Sequence, residues 1–166
     1  MGSFQNITAS DGFVLPAYAA QPSGAPKGAI VVLQEIFGVN SHIQTVTDVY
    51  AAQGYIAVAP STFHRVKADV NLGYTPEDIQ AGIALKAAAE AVLPLVMQDV
   101  QAAVDFATQQ LQTGGKVGVV GYCWGGLLTW RAAAMVKGIS AAVPYYGGGM
   151  TVGVEPQRHP KVPVMV

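Results

Sequence analysis

The sequence predicts an α/β protein: a mostly parallel, doubly wound sheet behind an N-terminal antiparallel hairpin. Three observations carry that reading. Continuous apolar runs, Ala29–Leu33 above all, have the pattern of strands covered on both faces. These runs alternate with segments of helical spacing. Only 11% of the 166 residues are charged, against the usual quarter or so, and 51% are hydrophobic.

The elements follow in order. Residues 4–8 and 13–19 flank Ser10-Asp11-Gly12 and read as a hairpin with an Asp-Gly turn. Residues 21–27 hold two prolines and form a loop. After the strand Ala29–Leu33, Ser41 is placed to cap a helix over residues 41–53 that Gly54 ends. Residues 55–59 make the next strand, stopped by Pro60. Thr75 and Pro76 are the N-cap and first residue of another helix, which Pro94 interrupts. From Leu95, apolar positions Val96, Val100, Val104, Ala107 and Leu111 keep helical spacing to Thr113. Strands follow at 117–120 and 141–146, with a helix over 127–136 between them, and residues 162–166 begin a further strand.

Composition excludes several function classes. Net charge is −1 and no run of Lys or Arg occurs, so neither nucleic acid nor an anionic membrane is an expected partner. No stretch of 18 apolar residues exists. Met1-Gly2 is not followed by the Ser or Thr at position 6 that myristoylation needs; Asn6 stands there. The one cysteine has no internal disulfide partner, which fits a cytoplasmic setting. Three scattered histidines lack ligand spacing, no dinucleotide or phosphate loop is present, and neither metal nor cofactor is expected. The whole chain reads as one domain.

The chemistry centres on Gly121-Tyr122-Cys123-Trp124-Gly125-Gly126. A strand, a sharp turn and a helix with a nucleophile at the turn make a nucleophile elbow, usually written G-x-S-x-G. Cys123 stands in place of Ser, and Gly121 and Gly125 flank it where side chains would collide. The helix that follows points its first N–H groups at the sulfur, a setting that suits a thiolate. A lone Cys at a tight turn also serves as a small buried packing group. Gln34-Glu35-Ile36-Phe37-Gly38 leaves the carboxyl end of another strand, where ligands of such sheets bind. Glu35 is therefore expected near Cys123, able to accept the thiol proton; the alternative is an exposed loop carboxylate. The N–H groups of Trp124 and Ile36 are the expected oxyanion hole.

These stretches, with Val39-Asn40, Pro60-Ser61-Thr62-Phe63-His64-Arg65 and Tyr145-Tyr146-Gly147, occur in order over essentially the whole chain. Together they resemble the dienelactone hydrolase family, the carboxymethylenebutenolidases. The resemblance implies an α/β-hydrolase fold and a small lactone or ester as substrate. It implies Cys123 as nucleophile, acylated by substrate, and Glu35 as the group that takes up the thiol proton. Family members hold the dienelactone carboxylate through Arg residues near the pocket. Residues 75–90 contain none, Lys86 being the sole cation, so Arg65 is the candidate, with a solvated surface side chain as its alternative. Trp124 and Tyr145 are candidate pocket walls or core residues; Trp130, Arg131 and Met135 read as packing or solvated positions.

The family's triad also needs an acid and then a His, both expected after the strand that opens at Val162. The sequence given stops at Val166, so the domain is expected to be incomplete, with C-terminal strands missing and an apolar sheet edge open. His42, His64 and His159 do not occupy the base's place in chain order. Two other functions compete. One is a Cys–Glu thiol protein of the DJ-1 type, sensing oxidation or acting as a glyoxalase. The other is a non-catalytic remnant that associates through its open edge. The initial hairpin and the long insertion after Ser61 favour the hydrolase.

Overall fold

The strand Ala29–Leu33 (β3 in chain order) shows why the chain needs two helical layers. Ala29, Val31 and Leu33 enter one buried cluster, while Val32 enters another. Side chains alternate across a strand, so an all-apolar strand must be covered twice. A computed structural model describes residues 1–111 and 114–166. Its sheet contains β1 (Ser3–Thr8), β2 (Val14–Ala20), β3, β4 (Ile56–Pro60), β5 (Val117–Tyr122) and β6 (Ile139–Tyr145). Their spatial order is β1-β2-β4-β3-β5-β6. The four strands β3 to β6 run parallel, and β1 and β2 form the antiparallel hairpin, as expected. Asp11 holds that turn by accepting the Phe13 N–H at 3.1 Å, and Gly12 takes φ 85°.

Helix α1 (Ser41–Ala52) covers one face of the sheet, and α3 (Leu93–Gln110) and α4 (Trp124–Met135) the other. The cap of α1 is Asn40, not Ser41: the Asn40 side chain accepts the Ile43 N–H. Asn40 also donates to the Leu72 carbonyl, so loop anchoring and capping fall to one side chain. Helix α2 (Pro76–Ala91) begins as expected, with Thr75 and Asp78 forming a reciprocal capping box. Its axis bends by 94° into α3 near Pro94. Val96, Val100, Val104 and Ala107 are all buried on α3. That helix ends at Gln110, and its expected end at Thr113 lies outside the described residues. Helix α4 starts at Trp124, three residues before the expected Leu127. The last expected strand is limited to a parallel bridge between Val164 and Ala142 at the β6 edge. Among the described residues, no single helix is long and apolar enough to cross a membrane.

Candidate active site

Two parallel strands deliver the two halves of the site. In the β3–β5 register Leu33 pairs with Gly121. Cys123 follows Gly121 by two residues, and Glu35 follows Leu33 by two. Both residues therefore leave the same end of the sheet on adjacent strands, the place where open α/β sheets bind ligands.

The elbow is built by close approach. Cys123 has φ 56°, a left-handed value that a non-glycine residue adopts only under constraint. Its N–H donates to the Tyr145 carbonyl at 3.1 Å, and its carbonyl accepts the Gly126 N–H at 3.0 Å. A Cβ on Gly121 would strike the Gly125 carbonyl and Thr129 Oγ1, and one on Gly125 the carbonyls of Leu33 and Gln34. The expected collisions at both glycines are thus present. Gly126 sits equally close to the Tyr145 carbonyl. Cys123 is partly exposed and not a core residue.

The Glu35 loop is held from the other side. Leu72 N–H donates to the Phe37 carbonyl at 2.9 Å, and Gly38 bridges Asn71. Gly38 has φ 84°, and a Cβ there would overlap the Val70 carbonyl, so glycine is required. Tyr74 packs edge-on against Phe37 at 4.6 Å and donates its hydroxyl to Glu35 Oε2 at 3.3 Å. Tyr146, 64% exposed with φ 39°, lies within electrostatic reach of both Glu35 and Cys123. Partial burial first, then the neighbouring Glu35 and Cys123, raise its phenol above the ordinary value. Burial and Glu35 likewise outweigh the Asn40 hydrogen bond and raise Tyr74. Sequence reasoning missed both tyrosines. The available signal for Tyr146 was its place in the Tyr145-Tyr146-Gly147 stretch just past the end of β6.

The other candidates sort by what they touch. Trp124 is 1% exposed and stacks on Phe63 at 4.7 Å, so its ring is core and not pocket wall. Its backbone N–H opens α4 beside Cys123, and among the described residues neither this N–H nor that of Ile36 has a hydrogen-bond acceptor. Tyr145 stacks its ring on Tyr122 at 5.1 Å and is 44% exposed. Burial first, then Tyr50, raises the Tyr122 phenol. His42 and His159 are exposed, and His64 packs near Phe13.

Arg65 corrects the expectation of a free carboxylate binder. Its guanidinium donates to Asp99 through Nε and Nη2 and to Asp11 through Nη1 and Nη2, at 2.8–3.1 Å. Its side chain is 8% exposed and lies over the Phe13 ring at 4.2 Å. Asp99 is fully buried; burial lifts its carboxyl to about 6, and Arg65 keeps it from rising further. A buried carboxylate on α3 demands a partner, and Arg65 supplies it. Arg131, at a position the sequence marks as packing or solvated, is a buried ion-pair centre. It binds Glu90 at 2.7 Å and Glu155 at 2.9 Å, and Glu155 also accepts from Arg158 at 2.6 Å.

A twisted sheet with helices on both faces, and a positive-φ nucleophile candidate at a strand–helix turn, define an α/β-hydrolase fold. Comparison with known proteins agrees. The model of the dienelactone hydrolase family matches residues 15–166. Carboxymethylenebutenolidases of Pseudomonas putida and Pseudomonas knackmussii are each 38% identical over 147 residues, covering 87% of this chain and 61% of theirs. The chain thus spans about three fifths of the length of those relatives. Solved structures show the same fold at lower identity. A dienelactone hydrolase-like promiscuous phosphotriesterase from metagenomic libraries aligns at TM-score 0.68 and 23% identity, over 98% of this chain and 66% of that one. A Pyrococcus furiosus esterase aligns at TM-score 0.60 and 18% identity, over 87% of this chain and 50% of that one. The chain belongs to the dienelactone hydrolase family.

Proposed function

We propose that this chain carries the nucleophilic half of a hydrolase for lactones or small esters. Cys123 Sγ attacks the acyl carbonyl, Glu35 takes the thiol proton, and the N–H groups of Trp124 and Ile36 receive the developing oxyanion. Collapse of that intermediate expels the alcohol and leaves a thioester on Cys123. The observation that carries the reading is the Leu33–Gly121 register, which sets next to each other the strand ends that lie two residues before Glu35 and Cys123. Tyr146 supports it, because it lies within electrostatic reach of both. Tyr145 and Tyr146 line the approach to the sulfur. Arg65 has no place in this proposal.

Hydrolysis of the thioester needs a base to activate water, and no histidine here stands where the family resemblance puts one. Acylation is therefore expected to outrun turnover in the 166-residue chain. Mixing with p-nitrophenyl acetate should release about one nitrophenolate per chain quickly, then little more. Release without a burst, or a steady rate typical of an efficient esterase, would argue against this division of labour.

A further inference from the structure

Helix α2 lies outside the elbow and outside the Glu35 loop, yet it touches both. Gly82 of α2 sits against Ile36: a Cβ there would crowd the Ile36 carbonyl and side chain. Glu90, eight residues on and so on the same helix face, accepts the Trp124 indole N–H at 2.7 Å. Ile36 and Trp124 are the two residues whose backbone N–H groups form the proposed oxyanion hole. One helix is thus seated on both of them.

The Glu90 contact is stiff. The same oxygen, Oε1, also accepts Arg131 Nη1 at 2.7 Å. Trp124 and Arg131 are seven residues apart on α4, so Glu90 grips one helix face at two points two turns apart. Arg131 in turn is held by Glu155, and the Trp124 ring is stacked on Phe63 with an interplanar angle of 11°. A carboxylate is an expensive way to satisfy a buried indole, since a carbonyl would do. What it adds is a short, charge-assisted, directional bond that fixes how α4 is rotated beneath Cys123.

We infer that Glu90 is a positioning residue for the oxyanion hole, and that α2 is the brace that sets the spacing between its two N–H donors. This rests on the nucleophile reading of Cys123. Acylation and alkylation of the same sulfur separate the two ideas. Attack on p-nitrophenyl acetate forms the S–C bond, sends the thiol proton to Glu35, develops an oxyanion and releases nitrophenolate. Attack on iodoacetamide displaces iodide and develops no oxyanion.

In Glu90→Leu, single-turnover acylation of Cys123 should fall by roughly a hundredfold, the lower end of the loss from removing one oxyanion donor, while alkylation stays within about twofold. Glu90→Gln keeps an acceptor oxygen for the indole and should recover most of the acylation rate. Should Glu90→Leu not fold, Trp124→Phe keeps a ring for the stack, removes the indole donor, and should give the same selective loss. Unchanged acylation in the folded variants overturns the brace alone. Equal falls in acylation and alkylation also overturn it, because they report access to the sulfur. Wild-type protein that alkylates at Cys123 but never acylates overturns the nucleophile reading, and the brace with it.

Discussion

Leu33 and Gly121 are partners across the parallel pair β3 and β5. From that pairing the chain runs two residues to Glu35 on one side and two to Cys123 on the other. If the pair works as proposed, Glu35→Gln should slow acylation of Cys123 by about a hundredfold, the lower range for loss of a positioned base. Near-UV circular dichroism should be unchanged. An unaltered acylation rate would remove Glu35 from the chemistry.

Gly125 faces the carbonyls of Leu33 and Gln34 with no space for a methyl group. Those are buried backbone atoms at and just past the end of β3 and cannot move aside cheaply. Gly125→Ala should destabilise the protein by about 1–3 kcal/mol, the usual cost of overpacking. Acylation should fall as well, because Cys123 shifts with the turn. A urea midpoint equal to wild type would show that the elbow has slack.

Arg65 should behave as a structural residue. Arg65→Met leaves Asp99 buried without its guanidinium partner, a loss of about 3–5 kcal/mol in stability for a broken buried pair. Substrate affinity in the folded fraction should be unchanged. A raised KM with normal stability would restore Arg65 to substrate binding.

The ion pairs around Arg131 predict an acid limb in stability. Burial alone would raise the carboxyls of Glu90 and Glu155. Hydrogen bonds from Arg131 and Trp124 to Glu90, and from Arg158 and Arg131 to Glu155, outweigh it and hold both below the ordinary 4.5. Groups with lowered values contribute stability above pH 4.5 that is lost as pH falls through their folded values. Asp99 acts oppositely: its raised value favours the folded state at low pH and costs stability as pH climbs through about 6. In Glu155→Gln, urea midpoints should therefore decline less between pH 4.5 and 3 than in wild type. An unchanged decline would place the acid sensitivity elsewhere.

Local signals made much of the fold legible. The Asp-Gly turn, the Thr75-Pro76 start of α2 and the unbroken apolar run of β3 each act within a few residues. So did the elbow: two glycines around Cys123 reported a crowding that the folded chain contains. What escaped was chemistry assembled from distant segments. Arg131 meets Glu90, 41 positions away in sequence, and Arg65 meets Asp99, 34 away. No spacing rule links such pairs, so each side chain read alone as solvated, packing or substrate-facing. Asn40 displaced Ser41 as the α1 cap because one side chain could serve both the helix and the Leu72 carbonyl. Tyr146 was hidden behind Tyr145, and Tyr74 was reached only through its hydroxyl bond to Glu35.

The most direct test of the whole account is the mass of the intact chain after brief exposure to p-nitrophenyl acetate, with peptide mapping of the adduct. The account predicts one acetyl group per chain on Cys123, much slower to form in Glu35→Gln and absent in Cys123→Ala. Acetylation confined to lysines, or equal labelling of wild type and Cys123→Ala, would contradict it.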